Sequence, residues 1–484
     1  MFKLSSTKRK TPEAAETAPA AEPTPDVAVP ESAPTPTPSA PLAAAEPTPV
    51  DPADERVVTT GQFPYFKPPR TIEETGLSES FLIGLTAKVL YDGGTMTPAD
   101  IGEVTKLPKI VCRSLIKEMT HLQYVEALGL ETQDIKSDIR YQLTDAGRKA
   151  ALEALQASSY IGPAPVSLFE FEAQIGRQSI THEQLQHHEL EKAFSHLVIA
   201  DGMIEQLGPA ANSGRSMLFY GEPGNGKTSL AEAIGMAFKD TIYFPHAILV
   251  GSQIIRFYDD TLHVEGEMPE DPIDQRWVPC KRPVVIAGGE LTLAMLDLMF
   301  EPGSRFYEAP MHLKALGGVF VLDDFGRQTA APQAFLNRWI VPLEKGFDIL
   351  SLHTGKKFTV PFDQLVVFSS NMMPEELGDG AALRRIYFKI FVPSPTKEDY
   401  LEIFRDAAAS YELEWKEDIV SKFYDDKYVA QGLVTSGAHP GFLIRHILAA
   451  ARYLDRKAEL SRELLDLAWR NVAAAKKSHT HAPT

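Results

Sequence analysis

A glycine-rich segment at residues 221–228 matches the pattern G-x-x-x-x-G-K-[ST] in full. The apolar run before it, residues 217–220, predicts a buried strand, and residues 229–238 after it predict a helix. Strand, glycine loop and helix in this order let backbone N–H groups converge on phosphate oxygens at a helix N-terminus. The segment therefore predicts a phosphate-binding loop.

Two side chains of this loop carry specific chemistry. Lys227 can reach the outer phosphates of a nucleotide, and the Thr228 hydroxyl can ligate Mg²⁺. An ordinary glycine turn into a helix is the weaker explanation, because the Lys-Thr pair and both flanks fit the phosphate site. We predict that ATP and Mg²⁺ bind at a loop formed by Gly221, Glu222, Pro223, Gly224, Asn225, Gly226, Lys227, Thr228 and Ser229.

Length and composition narrow the class of protein. A chain of 484 residues is too long for one core, so we expect two or three domains. The net charge of −17 argues against general binding of polyanions. The two cysteines, Cys112 and Cys280, cannot make a disulfide framework or a zinc site, which predicts a reducing, cytoplasmic location. No apolar run approaches the roughly 18–20 residues needed to span a bilayer, so we expect no membrane insertion.

Changes in composition and pattern divide the chain into five parts. Residues 11–54 consist almost entirely of Pro, Ala, Thr, Glu, Ser and Val without an aromatic residue, and such a segment cannot bury enough surface to fold. The predicted parts are a disordered Pro/Ala-rich tail (1–55), an α+β domain (71–158), a connector with a helix (159–210), an α/β core around the phosphate-binding loop (211–395) and a helical C-terminal part (396–475).

The second part, residues 71–158, has the pattern of three helices, a two-stranded hairpin and a final helix. Thr97 and Pro98 predict the start of the second helix, as an N-cap and a first helical residue. The order resembles the winged helix-turn-helix domains of bacterial regulators, an α+β fold. The segments that carry this resemblance are residues 99–103, 114–119 and 140–148.

A domain of this kind can bind DNA or protein. DNA would contact the third helix and the hairpin, where the basic residues are Lys106, Lys109, Arg113, Lys117, Lys136 and Arg140. Against this, residues 71–158 hold nine Lys and Arg and thirteen Asp and Glu, a net charge of −4, and the hairpin tip is acidic. A protein-binding or structural role is about as well supported as DNA binding, and DNA is not the favoured partner.

Two further apolar runs end in polar side chains. Residues 318–322 lead into Asp323 and Asp324, and residues 365–370 lead into Asn371. The paired acids resemble a Walker B motif. Asp323 would hold Mg²⁺ opposite Thr228, and Asp324 would orient or polarise the attacking water.

Together with residues 382–390, these segments resemble the motifs of AAA+ ATPases over residues 180–475. The resemblance implies a parallel α/β sheet with a helical lid, in which Asn371 is the sensor 1 residue that holds the nucleophilic water. It also implies that an arginine reaches the γ-phosphate bound by a neighbouring subunit. Arg385 directly precedes an apolar run, as this arginine finger does in many relatives, so we favour it over Arg384. A homo-oligomeric ring, with six subunits expected, follows from this resemblance.

Two positions depart from the family pattern. The second Walker B acid is Asp324, whereas most AAA+ proteins have Glu, and one methylene less moves the carboxylate by about 1.5 Å. This change concerns the hydrolysis rate more than nucleotide binding. In relatives a sensor 2 arginine follows His-Pro, but here Gly441 occupies that position. Arg445, one turn later on the same face, is the candidate substitute that would contact the nucleotide.

Residues 349–352 and 357–361 flank a turn and predict a β-hairpin before the sensor 1 strand. MoxR-like ATPases and enhancer-binding activators carry such a hairpin, and the chain resembles that side of the superfamily. Residues 323–328 and 337–344, DDFGRQ and NRWIVPLE, are similar to uncharacterised bacterial AAA+ proteins, some of which are linked to Flp-type pilus assembly.

The preferred function is an ATPase that hydrolyses ATP with Mg²⁺ at subunit interfaces and remodels a protein client of unknown identity. One alternative is an ATP-dependent regulator that docks on DNA through the winged helix. Another is a nucleotide-gated scaffold with low turnover, which the shorter side chain of Asp324 suggests.

Overall fold

The computed structural model describes residues 56–58, 64–130 and 138–472. The predicted tail, residues 1–55, lies outside the described part of the chain. The described helices are α1 (Glu79–Gly93), α2 (Pro98–Thr105), α3 (Lys109–His121), α4 (Asp145–Ala157), α5 (Leu168–Arg177), α6 (His187–Phe194), α7 (Met203–Asn212), α8 (Lys227–Ala237), α9 (Met311–Lys314), α10 (Pro332–Arg338), α11 (Ile340–Lys345), α12 (Pro374–Leu377), α13 (Gly380–Leu383), α14 (Lys397–Ser410), α15 (Glu417–Tyr424), α16 (His439–Tyr453) and α17 (Arg462–Val472).

The described strands are β1 (Val57–Val58), β2 (Tyr65–Phe66), β3 (Val125–Leu130), β4 (Ile139–Leu143), β5 (Val166–Ser167), β6 (Met217–Tyr220), β7 (Thr241–Pro245), β8 (Ala247–Val250), β9 (Gln253–Arg256), β10 (Trp277–Lys281), β11 (Val284–Ala287), β12 (Met299–Glu301), β13 (Phe306–Glu308), β14 (Val319–Leu322), β15 (Phe347–Ser351), β16 (Lys357–Pro361), β17 (Leu365–Ser370) and β18 (Phe388–Phe391).

The central sheet is parallel throughout, with the strand order β11-β14-β17-β6-β18. Strand β6 leads into the phosphate-binding loop, β14 into Asp323 and β17 into Asn371. Because β17 lies between the other two, the carboxyl ends of all three strands meet at one edge of the sheet. The predicted α/β fold with a parallel sheet is confirmed.

Side chains of the central strands alternate between two buried layers, as the two-residue period of a strand requires. On β14, Val319 and Val321 pack with helices α6, α7 and α8 on one face. Phe320 and Leu322 pack with α10 on the other face. A parallel sheet covered on both faces gives strands that are apolar along their whole length, which explains why these strands are visible in the sequence.

The long segment between the phosphate-binding loop and β14 contributes most of a second sheet. This sheet is mixed, with the order β12-β13-β9-β8-β5. Beside it, β7 and β10 pair antiparallel. Strands β1 and β2, helix α5 and the second sheet share one hydrophobic core that includes Phe171, Phe257 and Trp277.

The predicted hairpin before β17 is present, and β15 pairs antiparallel with β16. One face of the hairpin is buried in the core of the second sheet. At its turn, His353 stacks on Phe300 with ring centroids 4.2 Å apart. The hairpin is therefore packed within its own chain through Leu350, Leu352, Phe358 and Val360.

Helices α1–α4 and strands β3 and β4 follow one another in the order predicted for residues 71–158. Thr97 caps α2 as expected, in a capping box with Asp100. Ala247 and Ile254 of the second sheet belong to the same core as α1–α3. These helices thus pack against the second sheet, and the boundaries of a separate winged-helix domain stay a prediction.

The connector differs from the sequence prediction. Its apolar pattern over residues 183–205 predicts one helix, whereas the structure has two, α6 and α7. Gly202 caps α7 with φ of 73°, in the left-handed region that suits glycine. Helix α6 already ends at Phe194, and Gly202 marks the start of α7. The Asp201-Gly202 pair was the available signal for this break.

Helices α14–α17 lie where the sequence predicts a lid and enclose a core of their own, which includes Phe404, Phe423, Ile447 and Trp469.

Within the described residues, no helix combines the length and the apolar character needed to cross a membrane.

Candidate nucleotide-binding site

The phosphate-binding loop connects β6 to α8, which begins at Lys227. Gly224 and Gly226 have φ of 81° and 79°, in the left-handed region that residues with a side chain rarely adopt. A Cβ on Gly224 would also lie 2.5 Å from Ser436 Oγ. The backbone and the close approach of the lid therefore require the glycines of the motif.

The Lys227 ammonium is enclosed by oxygen atoms, and this residue is only 6% exposed. It donates to Gly221 O at 3.0 Å, to Glu222 O at 2.9 Å and to Asn371 Oδ1 at 2.6 Å. Burial lowers the pKa of Lys227, and nearby carboxylates oppose this shift. A single side chain thus links the loop to the end of β17.

Two further contacts join the predicted residues. Thr228 Oγ1 donates to Asp323 Oδ2 at 2.9 Å. Asn371 Nδ2 donates to Asp324 Oδ1 at 3.2 Å. With the Lys227–Asn371 contact, side chains that follow three neighbouring strands form one connected set.

The Thr228–Asp323 pair suits Mg²⁺. Its hydroxyl and carboxylate are hard oxygen ligands, and Mg²⁺ in nucleotide sites uses one or two carboxylates together with phosphate oxygens and water. Over the ranges that the structure describes, no group of three or more His, Cys, Asp or Glu could hold a metal. Mg²⁺ at this pair would therefore take its remaining ligands from phosphate and water.

A cavity of about 560 Å³ opens beside the loop. Its size falls in the range of small-molecule sites, and its lining includes Gly224, Asn225, Gly226 and Ser229 of the predicted loop. The sequence did not identify the rest of the lining. Those residues are His196, Leu197, Val198, Ile199, Ala200, Met203, Leu230, Val392, Pro393, Ser394, Pro395, Asp399, Ile403, Asp406, Ala407, Ser410, Gly437 and Ala438.

The segment between α6 and α7 gives this cavity its apolar side. Leu197, Val198 and Ile199 are half-buried there, and Ile403 of the lid also lines the cavity. Apolar walls beside a phosphate-binding loop fit the flat base of a nucleotide. The residues present therefore fit ATP, with its phosphates at the loop and its base in the cavity.

The lid contacts the loop directly. Gly437 N donates to Asn225 Oδ1 at 3.4 Å, and Ser436 Oγ donates to Pro223 O at 3.5 Å. Asn225 Nδ2 also donates to Ser394 Oγ at 3.2 Å, between the core and α14. A nucleotide in the cavity would consequently touch the core and the lid together.

The two candidate finger arginines lie between α13 and β18 in different surroundings. Arg385 Nε lies 2.9 Å from Glu344 Oε1, and its side chain is 13% exposed. Arg385 also donates to Ala381 O. Arg384 is exposed. Glu344 lies in the last turn of α11, just before the hairpin, so the favoured arginine is paired within its own chain.

Arg445 lies on the exposed side of α16, with its guanidinium 5.1 Å from the centre of the Phe442 ring. It is not among the residues that line the cavity. A role of Arg445 in contacting nucleotide stays a prediction.

Comparison with known families gives a partial match. A family model described as a domain of unknown function, DUF8689, matches residues 396–471, which contain α14–α16 and all but the last residue of α17. This is less than half of the chain. A search of curated proteins finds no match.

Solved structures match at low similarity. The RuvB Holliday junction branch migration motor of Thermotoga maritima is 11% identical, over 60% of this chain and 73% of that chain, with a TM-score of 0.33. NtrX from Brucella abortus is 12% identical, over 57% of each chain, with a TM-score of 0.36. At these scores, the likeness to an AAA+ core depends on the strand order and the side-chain contacts of this chain.

Proposed function

We propose that the chain is an AAA+ ATPase that hydrolyses ATP with Mg²⁺. The observation that carries this proposal is the connected set Lys227, Thr228, Asp323, Asp324 and Asn371 at one edge of a parallel sheet. A structural ion cluster would not require a glycine loop, a helix N-terminus and an adjacent cavity at the same place.

In this mechanism each residue has a separate task. The loop N–H groups and Lys227 bind the phosphates, and Thr228 and Asp323 hold Mg²⁺, which neutralises phosphate charge when bound. Asp324 orients the attacking water and accepts its proton, while Asn371 fixes the position of that carboxylate and of the water. Closure of the lid on the loop excludes bulk water.

Removal of Mg²⁺ tests this assignment. We expect the purified full chain to release phosphate from ATP with Mg²⁺ and to stop when a chelator is added, because Thr228 and Asp323 carry no positive charge that could replace that of Mg²⁺ at the phosphates. Excess Mg²⁺ added back should restore release. Equal phosphate release with and without Mg²⁺ would contradict the proposal.

We further propose a ring in which an arginine of one subunit completes the site of its neighbour. Arg384 is exposed, and release from Glu344 would free Arg385. Both lie beside β18, the edge strand next to β6. This position supports a site shared between subunits.

Mixed rings test the shared site. Arg385→Ala and Lys227→Ala chains should each be inactive alone. Random mixing at equal amounts should restore about a quarter of wild-type activity, because one interface in four then combines an intact Lys227 with an intact arginine. The Arg384→Ala chain is the matched comparison. If that chain is inactive alone and activity returns when it is mixed with Lys227→Ala chains, Arg384 is the finger instead. No recovery with either arginine at any ratio would contradict shared sites.

A protein client is the proposed partner. In the third helix of residues 71–158, Arg113 Nη2 lies 2.8 Å from Asp138 Oδ1, and Lys109 pairs with the same carboxylate. Both cations lower the pKa of Asp138, which keeps it ionised. Two of the basic residues that would contact DNA are therefore held in ion pairs with an acidic residue of the same chain, which supports protein over DNA. A role in pilus assembly rests on sequence resemblance alone.

A further inference from the structure

Gln328 is the last residue of the DDFGRQ segment and is buried, with 8% of its surface exposed. Its amide nitrogen donates to Asp323 O at 3.0 Å and to Gly288 O at 3.3 Å. Its amide oxygen accepts from Gly326 N at 2.9 Å. One side chain thus ties together the residue after β14, the residue after β11 and the turn between Asp323 and Gln328.

The turn held by Gln328 contains an unusual backbone conformation. Asp324 has φ of 48°, in the left-handed region, which a residue with a side chain keeps only where its surroundings hold it. Phe325 N donates to Ser369 O at 2.7 Å, and Ser370 Oγ donates to Phe325 O at 2.6 Å. These contacts fasten the turn to β17, and the Gln328 contacts fasten it to β11 and β14.

This conformation determines where the Asp324 carboxylate lies. Its side chain has only one methylene, so the direction of the carboxylate follows the backbone closely. In the observed conformation Oδ1 is 3.2 Å from Asn371 Nδ2. A turn free to leave the left-handed region would break this contact and tilt Asp323 away from Thr228.

We propose that Gln328 is a positioning residue for the two Walker B acids. Its three hydrogen bonds hold the turn in the conformation that directs Asp323 toward Thr228 and Asp324 toward Asn371. Gln328 acts through the backbone of Asp323 and Gly326. The inference rests on the proposed ATPase function, because it assigns Gln328 to the same site.

Two substitutions separate hydrogen bonding from packing. Gln328→Met keeps the length of the side chain and removes all three hydrogen bonds. Gln328→Glu keeps an acceptor for Gly326 N, but the ionised carboxylate donates nothing to Asp323 O or Gly288 O. The same two substitutions at Gln206, an exposed glutamine of α7, are the matched controls.

The first measurement is amide hydrogen exchange in the nucleotide-free chain. We expect Gln328→Met to accelerate exchange of the peptide that covers residues 323–328 by about tenfold or more, since opening of a segment governs its exchange. Peptides from α14–α17 should exchange as in the wild type. The Gln206 variants should leave all of these rates unchanged.

The second measurement is turnover per folded chain. We expect kcat to fall about 10–100-fold in both Gln328 variants, the range found for residues that orient a metal-binding carboxylate. KM for ATP should change less than threefold, because the loop and the cavity stay intact. A merely structural role would instead lower the melting temperature and leave kcat per folded chain unchanged.

The outcomes separate this inference from the proposed function. A wild-type chain that releases no phosphate overturns the ATPase, and the exchange of residues 323–328 then decides on its own whether Gln328 holds the turn. The positioning role is overturned if the Gln328 variants keep the wild-type kcat per folded chain. It is also overturned if amide hydrogen exchange of the turn is unchanged in these variants. If Gln328→Met does not fold, Gln328→Glu decides by the same criteria.

Discussion

Replacing Lys227 by alanine is expected to weaken ATP binding by roughly 100-fold or more and to abolish turnover. A charge-assisted hydrogen bond is worth about 1.5–3 kcal/mol, and the Lys227 ammonium would make such bonds to phosphate oxygens. In the structure its three donors are occupied by Gly221 O, Glu222 O and Asn371 Oδ1. The substitution therefore removes the buried cation and also releases Asn371.

The measurement is equilibrium binding of a fluorescent ATP analogue, followed by phosphate release at saturating ATP. The matched control is Lys239→Ala, at an exposed lysine that lies shortly after α8. That variant should bind and hydrolyse ATP like the wild type. Unchanged affinity in Lys227→Ala would show that the glycine loop is not the phosphate site.

The strands that carry the site could be predicted because of how they are buried. Strand β14 and strand β17 are buried at every residue, and such strands appear as continuous apolar runs. The polar residues that follow them, Asp323 and Asn371, stand out by contrast. The sequence therefore predicts that the glycine motif, Asp323, Asp324 and Asn371 lie at one site, and the structure brings these residues together.

The apolar side of the cavity could not be predicted, since it depends on where helices end. The apolar residues 197–199 fit a helical pattern as well as a loop, but α6 ends at Phe194 and α7 begins only after the left-handed Gly202. The cavity wall arises at that break. Its other wall comes from the lid, and no local pattern shows that Ile403 or Gly437 faces the loop.

The second sheet could not be predicted from the sequence either, but for a different reason. Its strands have two to four residues, and partners such as β5 and β8 are far apart in the chain. Pairing of this kind is decided by tertiary packing, and the strand propensities of the residues indicate it only weakly. The same holds for Arg385 and Glu344, whose contact depends on the meeting of α11 with the segment before β18.

Asp324→Asn is expected to bind ATP with near wild-type affinity and to lower kcat by about 10²–10⁴-fold, the range that a general base contributes. An asparagine at this position keeps an oxygen that can accept from Asn371 Nδ2, which lies 3.2 Å from Oδ1 now. Asn also tolerates the left-handed backbone, with φ of 48° at this residue. The geometry should survive, and only the negative charge that accepts the proton of the water is lost.

The matched control is Asp455→Asn, since Asp455 is exposed and also has a left-handed backbone, with φ of 49°. It should leave binding and turnover unchanged, which excludes a general effect of the substitution on such turns. Slow hydrolysis with retained binding would make Asp324→Asn a trap that holds ATP, and with it any client that binds the ATP state. If the Asp324→Asn variant instead hydrolyses ATP at the wild-type rate, Asp324 is not the group that accepts the proton of the attacking water. In that case Mg²⁺ and the loop would still explain nucleotide binding, and the scaffold alternative would gain the support that the ATPase lost.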